Sequence, residues 1–251
     1  LLTTASLSLR LAMIAPRLKA ATIGWQHNCY DGYLHVKPVV FWQQENLLQQ
    51  YLPNLDRYIV LSDYDKRDYM EKLGIDCEVK INPRSFVSEK KCDMKSKRFL
   101  MATRFVYAKG LDLMMESFEE FCKEDSEWEL DIIGDGDLFD QIRADAKKRH
   151  LEKRVHFVGY TNEPEKYYLN SSVFLLPSRW EGWPMVIMEA FEFGLPVIAY
   201  HMGAMDLIID DGKTGFLPEA FEPHKFAQAM LKLAHDERAS CPDVCECHCQ
   251  V

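Results

Sequence analysis

Seven short runs along the chain are nearly continuous in apolar residues: "ATIGW" (21–25), "RYIVLS" (57–62), "RFLMAT" (98–103), "WELDIIG" (128–134), "RVHFVG" (154–159), "SVFLLP" (172–177) and "LPVIAY" (195–200). Between most of them lie segments whose apolar positions recur at three and four, such as "LDLMMESFEEFCKE" (111–124) and "DLFDQIRADAKKRH" (137–150), with a last amphipathic stretch at 226–235. Short apolar runs of this kind suit strands buried on both faces, and the intervening period suits helices lying on them. The pattern predicts an α/β fold with parallel sheets.

The polar segment "SFVSEKKCDMKSKR" (85–98), rich in Lys and Ser, interrupts the alternation and reads as a connection between domains. Two or three strands precede it and five or more follow. The division expected is an N-terminal Rossmann-like domain over 1–90, a C-terminal one over 91–237, and a cysteine-rich tail over 238–251 without a folded role. The chain opens at Leu1 inside an apolar pattern, which points to a first domain cut short at its front.

Composition narrows the function. The 251 residues are 47% hydrophobic and 27% charged, and the formal net charge of −9 comes from interspersed acids and bases. That balance excludes a sequence-independent grip on nucleic acid. No apolar run approaches the roughly 20 residues that span a bilayer, so the expected location is cytoplasmic, with room for peripheral attachment at the inner face of the membrane. Cys29, Cys77, Cys92 and Cys122 are scattered and fit reduced thiols. Cys241, Cys245, Cys247 and Cys249 crowd around His248, but their spacing matches no paired metal-binding pattern, so no metal is expected.

Candidate chemistry centres on "SRWEGWPMVIMEAFEFGLPVIAY" (178–200): a buried strand ends, a loop follows, Pro184 opens a helix, Gly194 closes it and a strand returns. In an open parallel sheet, ligands collect where such loops leave the carboxyl ends of strands, and a helix N-terminus there suits an anion. Glu189 sits in an apolar helix, where an enclosed carboxylate needs donors. Two readings fit equally: internal partners satisfy it, or it accepts hydrogen bonds from a ligand diol. Arg104 and Lys109 in "ATRFVYAKG" follow another strand and would suit two phosphate groups, although solvated loop charges explain them as well. "GDGD" (134–137) reads as a tight turn without chemistry. His27, just past a predicted strand, is either structural or a polar group in the cleft.

Together these segments, from about 23 to 235, resemble the retaining glycosyltransferases of family 4, which belong to the glycosyl transferases group 1 and have the GT-B fold. The likeness rests on Glu181 and Glu189 in "EGWPMVIMEAFEFGLPVIA", on "RFVYAKG", and on "VHFVGYTNEPEKYYLNSSVFLLPS". It implies transfer of a hexose-type unit, with retention, from a nucleoside diphosphate sugar, UDP-linked by expectation, to a hydroxyl of a carbohydrate or lipid-linked acceptor in polysaccharide or glycoconjugate synthesis.

The resemblance further implies that Glu189 holds the ribose hydroxyls and that Glu181 meets the transferred sugar near the reacting centre. Arg104 and Lys109 would neutralise the leaving diphosphate, and the backbone from Gly182 through Trp183 and Pro184 to Met185 would approach phosphates and sugar. Thr161, Glu163 and Lys166 match the segment that recognises the base, and His27 matches a histidine that reaches the donor sugar. No cofactor or metal is implied, because cationic side chains and a helix dipole replace it. Two alternatives stay open: a non-catalytic nucleotide-sugar-binding fragment, and another GT-B enzyme such as a sugar-nucleotide epimerase or a phosphorylase.

Overall fold

A computed structural model of the chain describes residues 1–4, 6–35 and 43–235. It shows two compact units, Leu1–Pro83 with Trp180–Pro184, and Arg84–Arg179 with the chain from Met185 onward. Each is an α/β layer structure built on its own parallel sheet.

The first unit carries β1 (Leu2–Thr4), β2 (Ile23–Trp25), β3 (Arg57–Val60) and β4 (Glu78–Val79) in the order β1-β2-β3-β4, all parallel. Around it lie α1 (Ser6–Ile14), α2 (Tyr30–Leu34), α3 (Glu45–Tyr51) and α4 (Asp63–Leu73). The sequence pattern predicts β2 and β3 but not β1 or β4. β1 is three residues long and runs into an apolar helix without a change of period, so no alternation marks it; it is fixed by pairing, Leu2 with Ile23 and Thr4 with Trp25. α4 starts where Ser62 accepts a hydrogen bond from the Asp65 amide at 3.1 Å and ends at Gly74 in the left-handed region. Asp65 is buried, and its two oxygens accept from the Tyr30 amide at 2.8 Å and from the Ser62 hydroxyl at 2.6 Å. Burial raises its pKa, and these donors oppose the rise.

The second unit carries β5 (Arg98–Ala102), β6 (Glu129–Ile133), β7 (Val155–Gly159), β8 (Val173–Leu176), β9 (Val197–Ala199) and β10 (Gly215–Phe216). Their order is β10-β9-β8-β5-β6-β7, and every pair is parallel. From β5 the chain moves outward through β6 and β7, then returns to the other side of β5 as β8 and proceeds outward again. The winding therefore reverses between β5 and β8. The connections hold α5 (Leu111–Phe121), α6 (Phe139–Lys148), α7 (Glu165–Leu169) and α8 (Met185–Glu192), and α9 (Pro223–Ala234) follows β10.

Alternation along β8 shows how both faces are covered. Val173 and Leu175 belong to the core that includes Met114, Phe118, Phe226 and Met230 of α5 and α9, while Phe174 points the other way and stacks on Tyr168 of α7. The predicted strands and helices of this half are all present, and the fold is α/β with parallel sheets, as the apolar runs predict.

The segment 85–98, read as a connection between domains, begins beside the boundary of the two units. It has no helix or strand before Arg98, yet the Ser88 amide donates to Glu192 Oε1 at 2.7 Å and the Cys92 amide to the Phe193 carbonyl at 2.9 Å. Phe86 also packs on Phe193, with ring centroids 5.5 Å apart. The segment is a strap on the end of α8. Its polarity comes from residues such as Lys90 and Lys95 facing water, while Cys92 is buried.

Candidate functional site

Reversal of winding between β5 and β8 leaves a crevice beyond their carboxyl ends, because the connections from these two neighbours go to opposite sides. Two of the singled-out loops arise there. Residues 103–110 leave β5 and residues 177–179 leave β8. They are joined directly: the Arg179 amide donates to the Ala108 carbonyl at 2.7 Å, and the Arg179 guanidinium donates to the Tyr107 carbonyl at 2.9 Å. The guanidinium also lies 4.0 Å from the centre of the Tyr107 ring and is paired with both oxygens of Asp112 in the first turn of α5. Gly110 completes the junction. Its φ is +64°, and a Cβ there would stand 1.9 Å from the Pro177 carbonyl oxygen, so only glycine fits without moving the backbone.

This junction takes up one of the cations that lie here. Arg179 is taken up by Asp112 and Tyr107. Arg104 is exposed, and its guanidinium makes no hydrogen bond or ion pair among the described residues. Lys109 ends the short turn Tyr107–Lys109 on the same loop and is half-buried. The "GDGD" segment is a turn that braces this loop from β6: the Phe105 amide donates to the Asp135 carbonyl at 2.9 Å and the Leu138 amide to the Phe105 carbonyl at 3.0 Å.

Along the same unit, a cleft of about 600 Å³ opens between the β7–α7 loop, α8 and the strap, lined by Phe86, Lys90, Glu163, Lys166, Tyr168 and Glu189. Three of the predicted residues meet here. Lys166 pairs with Glu163 at 3.1 Å, and Glu189 contributes its carboxylate from the second turn of α8. Thr161 sits at the start of the loop, where its hydroxyl accepts from the Glu163 amide at 3.0 Å. Glu189 is half-buried and accepts one hydrogen bond, from the Tyr168 hydroxyl to Oε2 at 2.9 Å. Burial raises its pKa, and the Tyr168 hydrogen bond works in the opposite direction.

α8 carries a second carboxylate three residues on, and the contrast is informative. Glu192 is only 8% exposed and is enclosed by partners: the Ser88 amide, Arg84 at 3.5 Å and Lys91 at 3.8 Å. It is the internally satisfied glutamate of this helix. Glu189 has a single donor among the described residues and an open cleft beside it.

The remaining predicted residues, apart from Met185 of the second unit, lie in the first unit. Gly182 is buried against the segment after β2, where a Cβ would stand 2.5 Å from the His27 carbonyl oxygen and 2.9 Å from the Asn28 Cα. Glu181 is half-buried next to it, and its charge contributes, after burial and the charges of Asp65 and Asp31, to a Cys29 pKa pushed up to about 12. Trp183 is half-buried with an indole N–H that finds no partner among the described residues, Pro184 is buried, and Met185 begins α8. His27 is exposed and stacks on Trp25, with ring centroids 5.2 Å apart. Partial burial lowers its pKa, which favours the neutral ring.

Sequence reasoning did not single out Tyr168, Arg179, Asp112 or Glu192. Arg179 stands two residues before Glu181 and was legible as a basic loop residue; the others show themselves only through partners distant in sequence. The cysteine group at 241, 245, 247 and 249 with His248 lies outside the described residues. Among the described residues, no three His, Cys, Asp or Glu side chains converge to hold a metal ion, and no helix is long and apolar enough to cross a membrane.

Residues 84–243 match the family model of the glycosyl transferases group 1. The chain belongs to this family. Its relatives include an uncharacterized glycosyltransferase of Haemophilus influenzae, 29% identical over 167 residues that make up 65% of this chain and 47% of that protein. They also include the poly(glycerol-phosphate) alpha-glucosyltransferase of Bacillus subtilis, 31% identical over 55% of this chain and 21% of that one. Among solved structures, sucrose-phosphate synthase from Thermosynechococcus elongatus superposes with a TM-score of 0.81 at 18% identity, covering 94% of this chain and 64% of that chain. A TarM mutant of S. aureus, in complex with fondaparinux, alpha-GlcNAc-glycerol and UDP, superposes with a TM-score of 0.79 at 22% identity, covering 90% and 46%. The chain thus shares its fold with GT-B glycosyltransferases and spans about half the length, or less, of the curated relatives it matches.

Proposed function

We propose that the chain is a retaining glycosyltransferase of family 4 that takes a nucleoside diphosphate sugar, UDP-linked, and transfers its hexose-type unit to an acceptor hydroxyl in polysaccharide or glycoconjugate synthesis. The observation that carries this reading is the strand-end crevice between β5 and β8, where the Arg104 guanidinium has no partner among the described residues while neighbouring Arg179 is consumed in holding the loop. Relatives that glucosylate poly(glycerol phosphate), and a superposable structure that contains UDP, support the same substrate class.

In the proposed reaction the bond from the sugar's anomeric carbon to the diphosphate breaks, a bond to the acceptor oxygen forms on the same face, and the acceptor proton leaves with the phosphate. Negative charge grows on the departing diphosphate, and a fixed cation is worth more there than on the ground state. Arg104 and Lys109 supply that charge, aided by the N-terminal end of α8 and its positive dipole. These groups stand in for a metal ion. Glu189 holds the ribose diol, and Thr161, Glu163 and Lys166 meet the base. Glu181 and His27 serve the transferred sugar, His27 as a neutral donor or acceptor, and the backbone of Gly182, Trp183, Pro184 and Met185 lies against sugar and phosphates.

Calorimetry with UDP, GDP and ADP, together with UDP-sugar hydrolysis and transfer assays, tests the reading. UDP is expected to bind, and Arg104→Ala to lower turnover by roughly 100-fold, as loss of one charge-stabilising donor does in other active sites. Absence of binding by all three nucleotides, or wild-type turnover in Arg104→Ala, would sink it.

A further inference from the structure

Tyr168 is buried to 1% exposure with its ring sandwiched in an aromatic column: stacked on Phe174 at 5.7 Å and 14°, and on Phe193 at 5.2 Å and 21°. Phenylalanine would satisfy every one of these ring contacts. A phenol placed in such surroundings loses hydration at its hydroxyl and is tolerated only when that group finds a partner. Its partner is Glu189 Oε2, at 2.9 Å. Phe174 lies in β8 and Phe193 directly follows α8, so the column locks the phenol to the sheet and fixes where the hydroxyl stands.

We infer that Tyr168 is a positioning residue for ligand recognition: its hydroxyl pins one carboxylate oxygen of Glu189 so that the other is presented, already oriented, to a vicinal diol entering the cleft. This inference rests on the proposed donor site. A glutamate has three side-chain torsions, and holding it before the ligand arrives removes an ordering cost that binding would otherwise bear. The pairing also favours the charged form of Glu189 against burial. Burial raises its pKa and the Tyr168 hydroxyl is what lowers it, so without the hydroxyl the proton is held to still higher pH. The charged groups sharing the cleft are Lys90, Glu163, Glu165 and Lys166, and they are already matched in pairs, Lys90 with Glu165 at 2.8 Å and Lys166 with Glu163 at 3.1 Å. On α8 itself, Glu192 is engaged by the strap.

The test compares the tightest binder among UDP, GDP and ADP with its 2′-deoxy form, by calorimetry on the full chain, for wild type, Tyr168→Phe, Glu189→Ala and the double variant. In wild type the 2′-hydroxyl should favour the ribonucleotide by about tenfold, the scale of one hydrogen bond to a charged group. Tyr168→Phe should lose most of that preference, and in the Glu189→Ala background it should lose nothing further. Affinity of Tyr168→Phe for the ribonucleotide should also fall more steeply toward acid than that of wild type and recover as pH rises. The preference is a ratio within one folded sample, so a change in overall stability leaves it intact. Should Glu189→Ala remove the preference while Tyr168→Phe keeps it with an unaltered pH profile, the positioning role is overturned and the donor site stands. Should Glu189→Ala keep the preference, or should none of the three nucleotides bind, the donor site itself fails and the inference with it.

Discussion

Arg179 grips Asp112 through two parallel hydrogen bonds, Nη1 to Oδ1 at 2.8 Å and Nη2 to Oδ2 at 2.6 Å, across 67 residues of chain. This pair clamps the loop leaving β8 to the first turn of α5. Burial works to raise the Asp112 carboxyl pKa, but the Arg179 hydrogen bonds and charge outweigh it and the net shift is downward. A depressed carboxylate contributes stability that is present above the ordinary Asp range and is lost as pH falls through the lower folded value. Asp112→Ala should therefore lower stability by about 1 kcal/mol at pH 7, a modest figure because the carboxylate is half exposed and screened. Urea melts at pH 7 and pH 3 check this, with the difference from wild type shrinking in acid.

Glu189 should behave in the opposite way. Its folded pKa is raised, chiefly by burial, so its ionised form weakens the fold at pH above the raised value, and that penalty fades as pH falls below the ordinary Glu range. Glu189→Gln is expected to raise the melting temperature at pH 7 by about 2 °C, to lose this advantage near pH 4, and to bind nucleotide more weakly throughout. Thermal melts at the two pH values, run without ligand, read the sign directly. A lower melting temperature at pH 7 would contradict it.

Glu192, on the same helix, is expected to be indispensable to the fold. Glu192→Ala leaves the partly buried Ser88 amide without its acceptor and Arg84 and Lys91 without their shared carboxylate. A loss of about 1 to 3 kcal/mol follows from removing a buried carboxylate together with the partly buried hydrogen bond and ion pairs it makes. Equilibrium denaturation decides it. Two glutamates three positions apart would then show opposite stability effects on loss of charge.

Gly182→Ala places a methyl group 2.5 Å from the His27 carbonyl oxygen, against backbone that cannot swing aside as a side chain would. The expected cost is about 1 to 3 kcal/mol. The imidazole of His27 should register the displacement as a chemical-shift change, whereas alanine at Gly212, where nothing lies within 4 Å but φ is +80°, should leave it untouched.

The layer architecture was legible because a strand buried on both faces needs a continuous apolar run, and "DIIG" or "FLLP" cannot be much else between two amphipathic helices. β1 was not legible, because "LTT" differs too little from the helix that follows it and is defined by a partner 21 residues away, as in the pairing of Leu2 with Ile23. The same limit governs the candidate site. Glu189 stood out as a carboxylate in apolar surroundings, and Arg104 and Lys109 as cations at a strand end, from local contrast alone. Tyr168 looked like one more aromatic before a strand, since its meaning lies in a hydroxyl pointed at a residue 21 positions later. Glu192 was still less visible: the amide that satisfies it comes from Ser88, 104 positions earlier.

That last contact bears on how such a protein can be dissected or recombined. Excising the second unit, or grafting it onto a relative, requires a junction at or before Arg84. A cut a few residues later would discard the Ser88 amide that donates to Glu192, the Phe86 ring that packs on Phe193, and with them one wall of the cleft. A stretch that looks like spare tether is, in engineering practice, part of the module.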